Sequence, residues 1–417
     1  MTKRLDLLVL NPSGRHRVYQ SLGNELTAVE PPVWAGLLAD YVRRKGRSVE
    51  ILDAEAENMS SEEVAQDVAR RNPRLVAMLV YGHQPSASTQ NMTVAGETCT
   101  AIKKNALEIP IIMGGTHAAA LPERTMREES IDFLCDGEGP YTIEGLLELL
   151  VSGRGRLSDI GSLWYRENGQ IKSNSPAPLI EDLDAVLPGI AWDLLPMEKY
   201  RAHNWHCFGR INNRKPYAAI YTSLGCPFRC AFCCIQAPFK GGEKQRGYKD
   251  TVNSYRFWSP DWVVNQIGIL VKQYGVKNIK FVDEMFVLNP GNVNGICDKI
   301  MERGYDLNIW AYARIDTVKN KEMLAKMKKA GINWLGLGIE SASSYVRDGM
   351  DKSFSKEDIT ENVERVRAAG INVGANFIFG LPDDTIETMR ETLQMAIDMC
   401  PDWANFYSAM AYPGSRL

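Results

Sequence analysis

Three cysteines in one short loop are the residues best placed to do chemistry. They form a C-x3-C-x2-C run, Cys226, Cys230 and Cys233. Thiolates at this spacing suit a cubane iron–sulfur cluster, in which each of them binds one iron. The fourth iron is then left without a protein ligand and can bind and reduce a small molecule. A structural zinc site needs four closed ligands, usually as two separated pairs, and no second cysteine pair lies near this loop.

The overall composition is that of a globular protein with reduced cysteines. The chain has 417 residues, of which 45% are hydrophobic and 24% charged, and this length predicts about two to three domains. A net charge of −3 and a pI of 6.1 give no general attraction to nucleic acid. No apolar stretch is long enough to span a membrane. Nine scattered cysteines and a start without a signal-peptide layout predict a cytoplasmic protein.

The first part of the chain, residues 1–151, alternates short apolar runs with amphipathic stretches. Strands that alternate with helices predict a parallel sheet with helices on both faces, a doubly wound, Rossmann-like domain. Such sheets bind ligands beyond the carboxyl ends of their strands. The predicted buried strands are Leu5–Leu10, Val49–Leu52, Leu75–Val80 and Ile109–Met113.

Residues 152–216 interrupt this rhythm. Leu163–Arg166 and Gln170–Ser173 flank Glu167-Asn168-Gly169, which is a good hairpin turn. Several prolines follow, with acidic residues between them. We therefore interpret this segment as a proline-rich surface linker that contains a hairpin.

A second β/α rhythm covers residues 217–417. Six strand–helix units are fewer than the eight of a closed barrel, so we predict a partial (β/α)6 barrel. Polar residues recur where the strands end, and in barrel enzymes that rim carries the chemistry. The six predicted strands are Ala218–Thr222, Asn278–Val282, Ile309–Ala313, Trp334–Ile339, Val373–Phe379 and Ala404–Met410.

The cysteine loop resembles that of the radical S-adenosylmethionine (SAM) superfamily, where the open iron chelates the amino and carboxylate groups of SAM. The resemblance extends along the barrel and implies a set of residues around SAM. Phe232 would lie near the adenine, Asp283 and Glu284 would face the SAM ammonium or the substrate, and Arg314 would pair the SAM carboxylate through its planar fork. The remaining implied cofactor contacts are Glu340, Asn376, Gly380 and Tyr412.

Each of these residues also has an ordinary structural interpretation. Phe232 is equally able to pack on the barrel, and Asp283 or Glu284 to cap a helix or loop. For Arg314 and Glu340 the alternative is an internal salt bridge. The turn that starts at Gly380 could simply precede a helix with Thr385 as its N-cap.

Glycine-rich motifs in the first domain resemble the cobalamin-binding domains that are fused to radical SAM barrels. Gly114-Gly115-Thr116-His117 resembles their Gly-Gly-x-His loop, and Asp136-Gly137-Glu138-Gly139 the Gly-Glu-Gly turn that follows. The resemblance implies that Gly114, Gly115, His117, Gly137 and Glu138 contact cobalamin. Glycines there let the backbone approach the nucleotide tail. No Asp-x-His-x-x-Gly motif is present, so we expect either cobalamin without a histidine on cobalt or a domain that has lost cobalamin.

Together the resemblances cover almost the whole chain and imply a cobalamin-dependent radical SAM enzyme. The expected cofactors are a [4Fe–4S] cluster, SAM and cobalamin, and the expected reaction is methyl transfer to an unactivated carbon or phosphorus of a small molecule. A flavodoxin- or ferredoxin-like protein would supply electrons. Cyclisation, oxidation or rearrangement is the alternative among enzymes, and a non-catalytic cobalamin sensor is the alternative from another class. A methylthiotransferase would need a second cysteine trio, and only Cys99 and Cys135 precede residue 200.

Overall fold

The computed structural model describes residues 4–25 and 27–417. The chain divides into two compact units, and each is described by itself. The first unit comprises the residues up to Tyr200 together with Cys234–Ser254 and Tyr412–Gly414. The second unit comprises Arg201–Cys233, Tyr255–Ala411 and Ser415–Leu417.

The first unit contains seven strands and most of the short helices. Its strands are β1 Leu7–Asn11, β2 Val49–Asp53, β3 Leu75–Leu79, β4 Ile111–Gly114, β5 Phe133–Cys135, β6 Leu163–Glu167 and β7 Gln170–Ser173. Its helices are α1 Arg15–Tyr19, α2 Leu22–Glu25, α3 Val33–Arg44, α4 Ala54–Glu57, α5 Ser61–Arg71, α6 Pro85–Asn105, α7 Thr116–Ala120, α8 Pro122–Glu128, α9 Pro140–Ser152, α10 Leu183–Val186 and α11 Lys240–Gln245.

These strands form one sheet in the order β2-β1-β3-β4-β5-β6-β7. The first five are parallel, and their nearly continuous apolar runs are buried, as expected for strands covered on both faces. Helices α5 and α6 pack on one face, where Val68 and Ile102 join Leu8 and Met78 in the core. The strand order changes direction at β1, with β2 on one side of it and β3 to β5 on the other, so the predicted doubly wound fold is confirmed.

The predicted hairpin forms and extends this sheet. Strand β6 pairs antiparallel with both β5 and β7, and Asn168 and Gly169 make the turn with positive φ. Further along, the Tyr200 hydroxyl donates to Asp53 Oδ2 at 2.7 Å. Part of the segment that was predicted as a linker therefore packs on the first unit.

The second unit contains a six-stranded parallel sheet, a separate two-stranded sheet and the crossover helices. The strands are β8 Tyr217–Ile220, β9 Ser223–Gly225, β10 Tyr255–Phe257, β11 Asn278–Phe281, β12 Asn308–Arg314, β13 Ile332–Glu340, β14 Asn372–Phe379 and β15 Trp403–Ser408. The helices are α12 Pro260–Tyr274, α13 Pro290–Glu302, α14 Lys321–Lys329, α15 Ser344–Gly349, α16 Lys356–Ala368 and α17 Ile386–Met399.

Strand order in the main sheet follows the chain, β8-β11-β12-β13-β14-β15, with β9 and β10 as a separate two-stranded sheet. This arrangement confirms the predicted partial barrel of six β/α units. Helix α12 starts with the Ser259 side chain accepting from the Trp262 amide and with Pro260 in the first turn. At the amino-terminal ends of the strands, Trp205 packs on Trp310 with ring centroids 4.1 Å apart.

Candidate active site

The cysteine loop leaves the barrel directly after its first strand. Gly225, with φ +83°, ends β9 and turns the chain into Cys226. The amide of Cys233 donates to the Cys230 carbonyl at 3.0 Å, which closes a tight turn between these two ligands. Cys226 is buried, whereas Cys230 and Cys233 are half-buried. The loop thus presents its thiols from one short stretch of backbone.

The thiols fit a cluster better than a single metal ion. Within the described ranges, no group of three or more His, Cys, Asp and Glu side chains is placed to hold a single metal ion. A cubane needs its thiolates further apart, because each binds a different iron. Burial raises the pKa of Cys226 to about 12, so an iron that bound there would displace the thiol proton.

Asp283 braces the start of the cysteine loop. Its Oδ1 accepts four hydrogen bonds, from the amides and the hydroxyls of Thr222 and Ser223. Burial raises its pKa to about 6, although these bonds favour the carboxylate. The other oxygen, Oδ2, is buried and accepts no hydrogen bond from a described residue. An orphaned carboxylate oxygen at this place fits a cationic group such as the SAM ammonium.

Glu284, the next residue, lies half-buried at the same rim. Burial beside the Asp283 carboxylate raises its pKa to about 8, and the Lys280 ammonium opposes that shift. Lys280 is itself buried, with its Nζ 5.5 Å from the centre of the Tyr312 ring. Burial at this rim therefore favours the protonated form of the Glu284 carboxyl group.

Arg314 contacts the cluster loop. Its Nη1 donates to Cys230 Sγ at 3.6 Å, and its Nε donates to Asp316 Oδ1 at 2.8 Å. The guanidinium carbon lies 4.3 Å from the centre of the Phe228 ring and 5.5 Å from that of Phe354. The alternative interpretation of Arg314, an internal salt bridge, is present as its ion pair with Asp316. The contact of Arg314 with the SAM carboxylate stays a prediction.

Glu340 also forms an internal ion pair, with Lys352. Both side chains are buried, at 9% and 7% exposure. Glu340 has φ +70° where the register between β13 and β14 shifts, so the backbone is strained in order to aim this carboxylate. The Lys352 Nζ lies 5.8 Å over the ring of Phe232. The pair thus sits beside the aromatic residue of the cysteine loop.

The other three residues predicted to contact SAM, Asn376, Gly380 and Tyr412, lie in three separate environments. Asn376 Oδ1 accepts from Asn405 Nδ2 at 3.1 Å, so it lies in a polar network between β14 and β15. Gly380 opens the turn before α17, where Asp384 Oδ2 accepts its amide at 3.0 Å and the Thr385 side chain caps the helix. Tyr412 groups with the first unit. SAM contacts at these three positions remain predictions.

An apolar slot in the first unit lies beyond the carboxyl ends of β3, β4 and β5. Gly114, Gly137 and Glu138 all line it, as the cobalamin motifs predict. Trp34 and Tyr81 stack at its edge with ring centroids 5.4 Å apart. Its volume is about 20 Å³, room for one or two water molecules. A bulky nucleotide base can enter only if these side chains move.

Glycines in this region are required for different reasons. A Cβ at Gly114 would meet no atom closer than 3.9 Å and would point into the slot, so the missing side chain leaves room for a ligand. A Cβ at Gly115 would lie 2.1 Å from the Val80 carbonyl oxygen, which makes that glycine a packing requirement. Glu138 Oε2 accepts the Ile180 amide at 2.7 Å and so anchors the chain that follows the hairpin.

His117 lies outside this slot. It lines a wider groove, of about 700 Å³, between α6 and α8. Its Nδ1 lies 3.1 Å from Thr89 Oγ1, and burial lowers its pKa. Among the described residues that line the slot there is no histidine. The absence of a histidine ligand on the cobalt and the contact of His117 with cobalamin both stay predictions.

Comparison with known proteins assigns both units to families. Residues 19–147 match the model of the B12 binding domain, and residues 220–396 match that of the radical SAM superfamily. Across 99% of its length, the chain is 33% identical to an uncharacterized methyltransferase of Pyrococcus horikoshii and spans 82% of that protein. The chain belongs to the cobalamin-dependent radical SAM family.

Two further proteins are similar to this chain. An anaerobic magnesium-protoporphyrin IX monomethyl ester cyclase of Rubrivivax gelatinosus is 28% identical over 96% of the chain, which spans 68% of that protein. The solved structure of the radical SAM methyltransferase TsrM from Kitasatospora setae, with cobalamin and a [4Fe–4S] cluster bound, matches with a TM-score of 0.76. Its identity is 18%, with 100% of this chain and 74% of that one covered, so it confirms the fold.

As a cobalamin-dependent radical SAM protein, the chain is an enzyme with a [4Fe–4S] cluster, SAM and cobalamin as cofactors. The residues described above fit these cofactors in their chemistry. Three thiols of one loop would hold the cluster, and Asp283 Oδ2 accepts no hydrogen bond from a described residue. The slot at Gly114 would have to widen before the cobalamin nucleotide enters. The predicted enzyme class is confirmed by the methyltransferases among its relatives. A membrane-crossing helix is absent from the described part of the chain.

Sequence reasoning missed several residues of this site. Lys352 stands in the polar stretch Met350-Asp351-Lys352-Ser353, where nothing marks it as buried. Thr222 and Ser223 were assigned to a strand and its end, without any role for their hydroxyls. Trp34 and Tyr81 come together from a helix and a strand end, and only the fold reveals their pairing. The one signal that the sequence offered was the position of Tyr81, an aromatic residue directly after the predicted strand Leu75–Val80.

Proposed function

We propose that this enzyme transfers a methyl group from SAM to an unactivated carbon, or to phosphorus, of a small-molecule substrate. The observation that carries the proposal is the combination, in one chain, of an open-iron cysteine loop on a partial barrel with a glycine-lined slot in a doubly wound domain. When bound, the reduced cluster cleaves SAM to a 5′-deoxyadenosyl radical and methionine, and cobalamin carries the methyl group.

The chain's own residues hold SAM in place for that cleavage. The buried Oδ2 of Asp283 accepts a hydrogen bond from the SAM ammonium, because a cationic donor is the partner that an orphaned carboxylate needs. The Phe232 ring packs against the adenine. Glu340, which is held by its ion pair with Lys352, accepts from SAM, and the aromatic side chains around the loop exclude water.

In the first unit, the slot holds the cobalamin nucleotide. Gly114 and Gly137 let the backbone approach it closely. Because the sequence has no Asp-x-His-x-x-Gly motif, this chain would supply no histidine nitrogen to the cobalt. Electron paramagnetic resonance of the cob(II)alamin form tests this point. Nitrogen hyperfine splitting that vanishes in His117→Ala would contradict it.

Reductive cleavage of SAM consumes one electron per event. The source that we propose is an external low-potential protein of the flavodoxin or ferredoxin class. Reduction of the cluster by such a protein, followed by production of 5′-deoxyadenosine, tests this proposal. Clusters that are reduced by chemical dithionite but by neither protein class would overturn it.

Product analysis tests the reaction itself. The reduced, reconstituted enzyme is incubated with methyl-labelled SAM and fractionated small-molecule extracts. We expect 5′-deoxyadenosine with SAM alone, and S-adenosylhomocysteine together with a labelled product once a fraction contains the substrate. Label in the product identifies a methylase.

Cyclisation or rearrangement is the second candidate, and the 28% identity to an anaerobic cyclase favours it. This reaction would use the same cluster and the same SAM cleavage. It predicts 5′-deoxyadenosine without S-adenosylhomocysteine, and a product that has not gained the mass of a methyl group. The same experiment therefore separates the two candidates.

A further inference from the structure

Arg314 places a cationic hydrogen-bond donor on one of the three cluster cysteines. Its Nη1 lies 3.6 Å from Cys230 Sγ, within hydrogen-bond range for sulfur. The arginine side chain is only 6% exposed, so water does not compete strongly for this donor. Cys230 itself is half-buried. This contact is separate from any contact that either residue makes with SAM.

Neighbouring side chains hold the guanidinium in a fixed position. Phe228 packs against it from within the cysteine loop, at 4.3 Å, and Phe354 lies at 5.5 Å. Asp316 accepts its Nε at 2.8 Å, which orients the planar fork. A donor that is fixed in this way is already in place before the cluster changes its charge, so little energy is lost in reorganisation.

We propose that Arg314 raises the reduction potential of the [4Fe–4S] cluster through its hydrogen bond to the Cys230 sulfur. Reduction adds one electron to the cluster and its thiolates, and no bond forms or breaks. Positive charge and an N–H donor at a thiolate stabilise the more negative, reduced form more than the oxidised form. Arg314 is thus a positioning residue that acts through Cys230. The proposal rests on the cluster and is independent of the proposed methyl transfer.

A redox titration of the reconstituted protein tests this role without any substrate. The cluster is titrated anaerobically with a chemical one-electron reductant and mediators, and the reduced form is counted by electron paramagnetic resonance. In Arg314→Gln, we expect the ratio of reduced to oxidised cluster at a fixed potential to fall about tenfold, which for a one-electron couple is a midpoint lower by about 59 mV. An unchanged midpoint in a variant with full iron and sulfide content would overturn the proposal.

Arg416→Gln is the matched control. This arginine also holds the cysteine loop, but its Nη2 donates to the backbone carbonyl of Arg229 at 2.7 Å and its side chain pairs with Asp351. If the loop merely needs anchoring, both variants shift the midpoint alike, and that result would contradict our proposal. We expect only the Arg314 variant to shift it.

Asp316→Asn keeps the proposal testable if Arg314→Gln fails to assemble a cluster. Asparagine at 316 can still accept from Nε but no longer offsets the guanidinium charge. We therefore expect the midpoint to rise, opposite in sign to the shift for Arg314→Gln. A midpoint that falls or stays unchanged in Asp316→Asn would overturn the electrostatic account.

Discussion

Replacing Lys352 by methionine tests the buried ion pair beside the cysteine loop. The side chains of Lys352 and Glu340 are only 7% and 9% exposed. Methionine at position 352 would therefore leave the Glu340 carboxylate buried and without its counter-ion. Removing one partner of a buried ion pair lowers the free energy of unfolding by about 3–5 kcal/mol. For a domain of this size, we expect the melting temperature of the second unit to fall by about 6–20 °C.

Thermal unfolding of the metal-free protein, followed by tryptophan fluorescence, measures this change. Most of the indoles, including Trp205 and Trp310, belong to the second unit. Lys277→Met is the control, because Lys277 forms an ion pair in the same unit with Asp306 at 3.4 Å, but with 68% and 92% of the side chains exposed. Such a surface pair contributes about 0–1 kcal/mol.

The double variant Glu340→Gln, Lys352→Met separates charge from packing. Removing both charges leaves no uncompensated carboxylate, so we expect much of the lost stability to return. If Lys352→Met is no more destabilising than Lys277→Met, the reasoning about burial is refuted. A double variant as unstable as the sum of its single changes would show instead that the lost lysine packing, and not the charge, matters.

The other predictions concern the cofactors and pH. Changing Cys226, Cys230 or Cys233 singly to alanine should abolish both the cluster, measured as iron content, and SAM cleavage, measured as 5′-deoxyadenosine. The control variant Cys297→Ala should retain both. Gly114→Val should fill the slot and prevent cobalamin retention, read from the visible spectrum, while Gly291→Val, at an exposed position of the other unit, should not. Burial raises the pKa of Asp53 to about 6, so between about pH 4 and 6 the unfolded chain releases this proton while the folded protein keeps it. The free energy of unfolding therefore falls as the pH rises through this range. Relative to Asp53→Asn, wild type should lose about 3 kcal/mol over that range in urea unfolding; a difference independent of pH would refute this.

Much of the candidate site was readable from local sequence because its signals are local. The cysteine trio lies within eight consecutive residues, and the Gly-Gly and Gly-Glu-Gly turns follow directly after strands. Strand and helix boundaries were also marked by nearby residues, such as the Ser259-Pro260 start of α12 and the αL Gly275 at its end. Partners that are close in the chain leave a pattern that one sequence can show.

The partners of the predicted residues could not be read in this way. Asp283 was expected to face SAM, but its Oδ1 holds Thr222 and Ser223, about sixty residues earlier. Arg314 was expected to bind the SAM carboxylate, yet its guanidinium contacts Cys230, 84 residues away. A carboxylate or guanidinium at a strand end has the same sequence signature whether it meets a ligand or another side chain.

The sequence by itself determined the spacing of the cysteine trio and the alternation of strands and helices, because thiol spacing and hydrophobic periodicity are properties of neighbouring residues. The order of the two cofactor domains was indicated by short motifs that resemble known families. Only the tertiary structure decided that Lys352 pairs with Glu340, that Arg314 donates to Cys230, and that His117 lies outside the slot of Gly114. Those outcomes depend on how parallel strands bring distant loops to one rim and on which charges become buried there. Burial and pairing are set by the whole fold, and no local pattern encodes them.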